Sequence, residues 1–317
     1  MRILQANKLP MSLKILPACL LLALVCLAAC TSPRNITASG KVTPKGAFKA
    51  GFNSSFNIAT APAAEIDNVT RAAVDAVDSH RDSIFYNETV AALTRGLLAY
   101  SLDPVTPTTE LYLRYGVAER VDVGYKYASG AHVFDAMYQF MGSTGTPDNP
   151  GEATGLHGSI GLQYSGQKSD LPGKVGLDKL SSVLNYDLSR KDILVPLVFS
   201  KSFGPEEMYG NLSFGVVYGH SFISYGFSPS KHLVRQVGAE VEKIPSFTRK
   251  QNYSSFGAFL NGKIGYKYAY FLPAISVYYQ NYGTYDLFGL QQESYKGLTI
   301  IPSLGLQLNL GYKKARG

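Results

Sequence analysis

Few residues of this 317-residue chain have the means to do chemistry. His157 and Ser159 stand two apart, which on a strand puts both on one face. That is the pairing of a general base with a hydroxyl nucleophile, and its reaction would be ester or amide hydrolysis. Such a pair also needs a group to orient the imidazole, and no acid or amide is identifiable for that role. His132, His220 and His232 are further candidate bases. Asp286 or His232 could serve a rim-located peptide hydrolase, but no motif surrounds either. No phosphate-binding loop, metal-ligand spacing or repeat period is present. The expectation is therefore no enzyme: catalytic residues none, metal none, cofactor none.

The cysteines point elsewhere. Cys19, Cys26 and Cys30 all fall within the first 30 residues, so the rest of the chain has no thiol pair for a disulfide or a metal site. That first stretch carries Arg2, Lys8 and Lys14, then an apolar run over residues 20–29, the charged-then-apolar layout of a secretory signal. The run is too short for a stable membrane helix. Its end, Leu27-Ala28-Ala29-Cys30, resembles the lipobox of bacterial lipoproteins. The resemblance implies lipidation of the Cys30 thiol and cleavage just before it, so that residues 1–29 are a signal peptide. An ordinary signal peptide, with Cys30 free, is the alternative. Residues 30–45, rich in Thr, Ser, Pro and Gly without periodicity, read as a flexible tether.

The elements that would position any site are strands. Over residues 297–312, Leu298, Ile300, Leu304, Leu306, Leu308, Leu310 and Tyr312 alternate with Gly297, Thr299, Ser303, Gly305, Gln307, Asn309 and Gly311. Period two gives one apolar face and one small, polar face. Soluble strands usually run to about 6 residues, whereas a membrane-crossing strand needs roughly 9 to 11, and this one is long enough to cross. The composition agrees, with 31 Gly, 22 Tyr, 16 Phe and no Trp; glycine and aromatics spread through many short segments mark β-barrels, and tyrosine suits the membrane interface.

Residues 110–128 form a hairpin in the same style. Leu111, Leu113, Tyr115 and Val117 alternate with polar or small residues, and after Ala118-Glu119-Arg120 so do Val121, Val123, Tyr125 and Tyr127. The stretch over residues 113–127 resembles a hairpin common in the outer-membrane β-barrels of Gram-negative bacteria, where a Gly-hydrophobic-x-x-Arg turn on the periplasmic side joins two lipid-facing strands. The resemblance covers about 30 residues and implies a fold and a location, the outer membrane, rather than an activity. Such barrels more often end on an aromatic residue, whereas five residues follow Tyr312 here.

Further strands are expected at 46–60, 131–141, 156–164, 193–203 with Pro196 inside, 208–227 with a bulge near Gly219-His220, 255–268 and 271–279. Residues 63–104 break the pattern: Ile66, Val69, Ala73 and Val77, then Val90, Leu93, Leu97 and Leu98, recur at helical spacing. That insertion is either a surface cap or a plug in the lumen. Ten strands make an antiparallel up-and-down transmembrane barrel over residues 46–317, with an even strand number. With the lipidated end starting in the periplasm, the outer connections are 61–106, 129–130, 166–190, 228–250 and 284–295 and the inner ones 118–120, 142–154, 204–207 and around 269, so that four of the five outer ones are long and three of the four inner ones short. That asymmetry places the long loops outside the cell.

The inward set includes Glu110, Arg114, Asp122, Lys126, Asp135, Gln139, Lys263 and Lys267, with Gln163, Asn261, Gln307 and Asn309. Ten strands leave a narrow lumen, and these groups either form a structural salt-bridged interior or ring a constricted pore. His157 and Ser159 would face that lumen, whereas barrel-embedded lipid hydrolases carry such residues on the outside. The leading expectation is a lipid-anchored barrel with a structural or surface-binding role, its long outer loops serving as recognition surface. A narrow channel and a barrel-embedded lipid or peptide hydrolase are the alternatives. The expected partners are outer-membrane lipid and lipopolysaccharide, with the barrel-assembly and lipoprotein-sorting machinery. Removing Arg2, Lys8 and Lys14 from the formal charge of +7 leaves about +4, too dispersed for nucleic acid.

Overall fold

The computed structural model describes residues 33–61, 63–64, 84–85, 88–151, 155–170, 185–229, 233–237, 240–288 and 291–312. In chain order the elements are β1 (Phe48–Ala59), β2 (Ile84–Phe85), α1 (Glu88–Leu102), β3 (Thr106–Ala118), β4 (Val121–Ala128) and β5 (Ala131–Met141). Then follow β6 (Leu156–Asp170), β7 (Tyr186–Phe203), a 3-10 turn (Pro205–Glu207), β8 (Gly210–Phe227), β9 (Leu233–Val237), β10 (Glu240–Lys243), β11 (Phe247–Tyr266), β12 (Ala269–Leu287) and β13 (Gln291–Leu310). Ten of the strands close into one antiparallel up-and-down barrel, β1 sealing it between β3 and β13. Closure leaves no free edge in the wall. β2, β9 and β10 form a separate three-stranded sheet.

The alternation read from the sequence is the pleat of the wall. Leu111, Phe134, Leu162, Phe214, Phe256 and Leu306 all point outward, Phe256 being 64% and Leu306 61% exposed. Their in-strand neighbours Glu110, Asp122, Gln139, Gln163, Ser213, Asn261 and Asn309 point inward and are buried. A continuous apolar exterior over a polar interior is the reverse of a water-soluble barrel, and hydrocarbon is the solvent that suits it. At one end the wall turns tightly. Ser129 and Gly130, both at positive φ (44° and 93°), make the two-residue β4–β5 turn that matches the twist of the flanking strands.

Four expectations are corrected. First, residues 33–43 are no tether: they run without regular secondary structure through the lumen, and Arg34, Asn35, Ile36, Lys41, Val42 and Thr43 are buried. Second, three of the expected loops contain ladder. β6 and β7 extend into 166–190, β12 and β13 shorten 284–295 to the stretch between Leu287 and Gln291, and 228–250 holds β9, β10 and the start of β11.

Third, no bulge occurs at Gly219-His220, where the pairing of β8 with both β7 and β11 is unbroken. One physical reason covers these two corrections. Beyond mid-barrel the apolar side chains turn inward, as Ile223, Tyr225, Phe227, Tyr253, Tyr282, Tyr285 and Leu287 do. The apolar phase therefore inverts while the strand continues.

Those inward rings bury Leu97, Leu98, Ala99 and Leu102 of α1, so the described part of the helical insertion occupies the loop-rich end of the barrel. Each of the three leucines gains about 1.5–3 kcal/mol from burial. The first helical piece expected from the sequence, around residues 66–77, lies outside the described residues. Fourth, Lys267 is not on an inward strand face but in the β11–β12 turn, at φ 49°. Pro196 sits inside β7 where the β6–β7 pairing skips from Leu197 to Leu194, so its missing N–H leaves no gap in a regular ladder.

Candidate functional site

The site is the lumen and the segment lying in it. At the loop-rich end, the Arg34 guanidinium pairs with Asp103 and donates to the Gln280 side-chain carbonyl. Asp103 follows α1 directly and is fully buried. It also accepts from Asn57 Nδ2 (2.7 Å), Tyr282 Oη (2.7 Å), Thr299 Oγ1 (2.7 Å) and Gln280 Nε2 (2.8 Å). Burial alone would raise this carboxyl, but Arg34, Arg190 and the hydroxyl donors outweigh it and hold Asp103 below the usual carboxylate range. Tyr278 Oη donates to the Arg34 carbonyl at 2.6 Å.

A second buried cation, Arg190, closes α1. Its Nη1 reaches the Leu102 carbonyl at 2.7 Å, and its other nitrogens reach Asp192 (2.8 Å), Ser221 (3.0 Å) and Tyr253 (2.6 Å). α1 has no basic residue in its last turn. The barrel wall supplies the positive charge that the negative end of the helix dipole favours.

The middle of the segment is held by both polarity and packing. Asn35 donates to Glu110 and accepts from Ser303 Oγ at 3.0 Å. Ile36 and Val42 pack with Leu194, Val198, Val217, Phe259 and Ile301 of the wall. Asn261 Nδ2 donates to the Ala38 carbonyl at 3.0 Å. Gly40 passes so close to the wall that a Cβ there would lie 2.5 Å from the His157 carbonyl oxygen and 3.0 Å from the Ser200 nitrogen.

At the short-turn end two carboxylates reach inward. Glu206 pairs with Lys41, and Glu207 pairs with Lys263 and accepts from Ser39. Both glutamates lie in the left-handed region, at φ 51° and 62°. That conformation costs of order 1–3 kcal/mol each and persists where its surroundings over-determine it; here the two lysines do so. Burial pulls the Glu207 carboxyl up, but Lys263 and Lys49 pull harder and hold it at about 2. Val42 N–H donates to Gln139 Oε1 (3.1 Å), and both the N–H and the hydroxyl of Thr43 donate to Asp122 Oδ2 (2.7 Å). Gly46, at φ 79°, then turns the chain into β1.

Each charged residue expected on the inner face has a definite position. Arg114 bridges Asp122 and Asp135, Lys126 lies against the Asn35 carbonyl (3.4 Å), Glu110 bonds Asn35 and Asn53, and Gln139 also donates to Ser143 O (2.8 Å). Lys263 meets Glu207. Lys267, out in its turn, pairs with Asp148 at 2.9 Å. Between segment and wall a cavity of about 80 Å³ remains, lined among others by Glu110, Arg114, Lys126 and Asp135. That volume holds a few waters, not a path for a solute.

The hydrolase candidates do not assemble. His157 is buried beside Ser143 (3.3 Å) and Ser202 (3.5 Å), while Ser159 Oγ donates to the Ser39 carbonyl (3.4 Å). His132 bonds Tyr125 Oη (2.8 Å) and His220 bonds Ser254 Oγ (3.0 Å), both on the outer wall. Asp286 pairs with Arg249 at 2.9 Å. His232 and Cys30 lie outside the described residues. Among the described residues no cluster of His, Cys, Asp or Glu could hold a metal.

Sequence reasoning missed Arg34, Asn35, Lys41, Thr43, Asp103, Glu206 and Glu207. The only signals were isolated charges in a polar stretch and an adjacent Glu pair after Gly204-Pro205.

No protein-family model matches the chain, and no curated protein sequence does. Solved barrels are similar to it in outline. The attachment invasion locus protein Ail of Yersinia pestis is 11% identical, with 84% of this chain and 99% of that one covered and a TM-score of 0.29. Neisserial surface protein A is 7% identical, covering 83% and 99% with a TM-score of 0.31. The outer membrane protein OprG of Pseudomonas aeruginosa is 8% identical, covering 86% and 99% with a TM-score of 0.31. Likeness at that level assigns the chain neither a relative nor a role; the architecture rests on its own closed ladder.

Proposed function

We propose that the protein is an outer-membrane β-barrel of a Gram-negative bacterium, lipidated at Cys30, that presents its outer loops as a structural or binding surface and conducts nothing. The apolar exterior and the contrast between short turns and long connections support the membrane reading. The occupied lumen carries the rest. Residues 33–43 fill it from one end to the other, pinned by Arg34–Asp103 above and Lys41–Glu206 below, while α1 fills the loop-rich mouth. A channel needs a continuous wet path, and the cavity of about 80 Å³ between the middle of the segment and the wall admits only a few waters. At that same end lies the β2–β9–β10 sheet, whose Leu233 joins the apolar cluster around α1.

Purified protein in a planar bilayer tests this reading. The wild type should give no conductance steps. Regular steps from the unmodified protein would overturn the occluded barrel in favour of a narrow channel. The hydrolase reading has no support in the geometry: among the described residues the His157 ring bonds Ser143 and Ser202 rather than Ser159 or a carboxylate.

A further inference from the structure

The direction in which residues 33–45 run through the lumen decides on which side of the membrane the chain's N-terminal end lies. Lys45 bridges to Gly116 beside the β3–β4 turn, at the short-turn end. Pro33 is at the other end: it lines one small void with Asn57, Thr108 and Ala128. Ala128 immediately precedes the β4–β5 turn, where the loop-rich rim is lowest. Read from N to C, the segment therefore descends from the loop-rich rim to the short-turn rim, and β1 then climbs back beside it.

The vertical distance can be set against the reach of the chain. From Phe48 to Asn57, β1 rises nine residues, about 30 Å along the strand at about 3.3 Å each. At a tilt of about 40° that is roughly 23 Å of height, most of the apolar band of such a barrel. Cys30 precedes Pro33 by three residues, which span at most about 11 Å fully extended. From Pro33 that reach clears the low β4–β5 rim but falls well short of the periplasmic end. The cavity of about 80 Å³ left between segment and wall is too small for acyl chains.

We propose that the chain crosses the membrane level an eleventh time, inside its own barrel, so that the mature N-terminus is displayed at the cell surface. The acyl chains on Cys30 then enter the outer leaflet beside β4 and β5 instead of the periplasmic one. The wall there offers the exposed apolar rings of Tyr125, Tyr127 and Phe134. The protein is thus a lipoprotein whose anchor and whose barrel enter the same bilayer from opposite faces. This inference rests on the outer-membrane reading above, and its test separates the two.

Acylation consumes the Cys30 thiol and cleavage removes Cys19 and Cys26, so single introduced cysteines report topology. In intact cells treated with a maleimide polymer too large for porins, Ser32→Cys and Gln292→Cys should label to similar extents. Glu119→Cys, in the β3–β4 turn, should label only after the outer membrane is opened, and the wild type not at all. Labelling of Ser32→Cys only after opening, with Gln292→Cys labelled in intact cells, overturns the surface N-terminus and leaves the barrel reading standing. Protection of Gln292→Cys with Glu119→Cys exposed overturns the barrel's orientation itself. Labelling of the wild type shows Cys30 unacylated and overturns the lipid placement. Heat-dependent gel migration of each variant confirms that it folds.

Discussion

Arg34 and Asp103, 69 positions apart in sequence, form an ion pair in which neither side chain is more than 1% exposed. The pair joins the segment in the lumen to the residue that ends α1, and through Asn57, Tyr282, Thr299 and Gln280 to three strands of the wall. Plug, helix and barrel therefore meet at one carboxylate.

Removing one partner of such a pair leaves the other charge buried, which costs about 3–5 kcal/mol. Arg34→Ala should lower the thermal unfolding midpoint in detergent strongly. Arg34→Met combined with Asp103→Asn should cost less than the sum of the two single changes, since the double variant buries no unpaired charge. A strictly additive cycle would show that the two side chains do not interact.

Gly40 offers a steric test of the same segment. The atoms a Cβ would meet are the His157 backbone carbonyl and the Ser200 backbone nitrogen, neither the end of a flexible side chain. Gly40→Ala should therefore destabilise the folded barrel by about 1–3 kcal/mol. A midpoint equal to that of the wild type would place the segment elsewhere.

The short-turn end should respond to acid. Glu207 is held at about 2, against an ordinary value of 4.5. A carboxyl with a depressed folded-state value stabilises the fold fully above 4.5, and that stabilisation is lost as pH falls from about 4.5 towards 2. Thermal midpoints measured from pH 6 down to pH 2, in the interval set by that shift, should drop through this window, and Glu207→Gln should flatten the drop. An unchanged slope in Glu207→Gln would remove this residue from the acid response.

Much of the wall was legible because lipid imposes a strict rule on a strand: every second side chain must be apolar. Residues 131–141 and the 110–128 hairpin show it plainly. Legibility faded where the barrel rises past the apolar band, since inward Tyr225, Tyr253 and Tyr285 pack on α1 and the exterior becomes polar, inverting the phase. The plug was invisible for a related reason. A segment that fills a polar lumen needs the same Ser, Thr, Asn, Lys and Gly that a solvated linker uses, and Arg34 or Lys41 read as solvent-facing charges until Asp103 and Glu206 come beside them. Pairings of that range carry no periodicity.

That residues 33–43 lie in the lumen is measured most directly at Ser39 and Ser200. Their hydroxyl oxygens are 3.2 Å apart across 161 residues of sequence, close enough for cysteines at both positions to bridge. In outer membranes from cells making the Ser39→Cys, Ser200→Cys protein, the chain should be almost wholly cross-linked within itself, seen as a gel shift reversed by reductant and absent from either single variant. Two free thiols in a protein that still migrates as a folded barrel would contradict it.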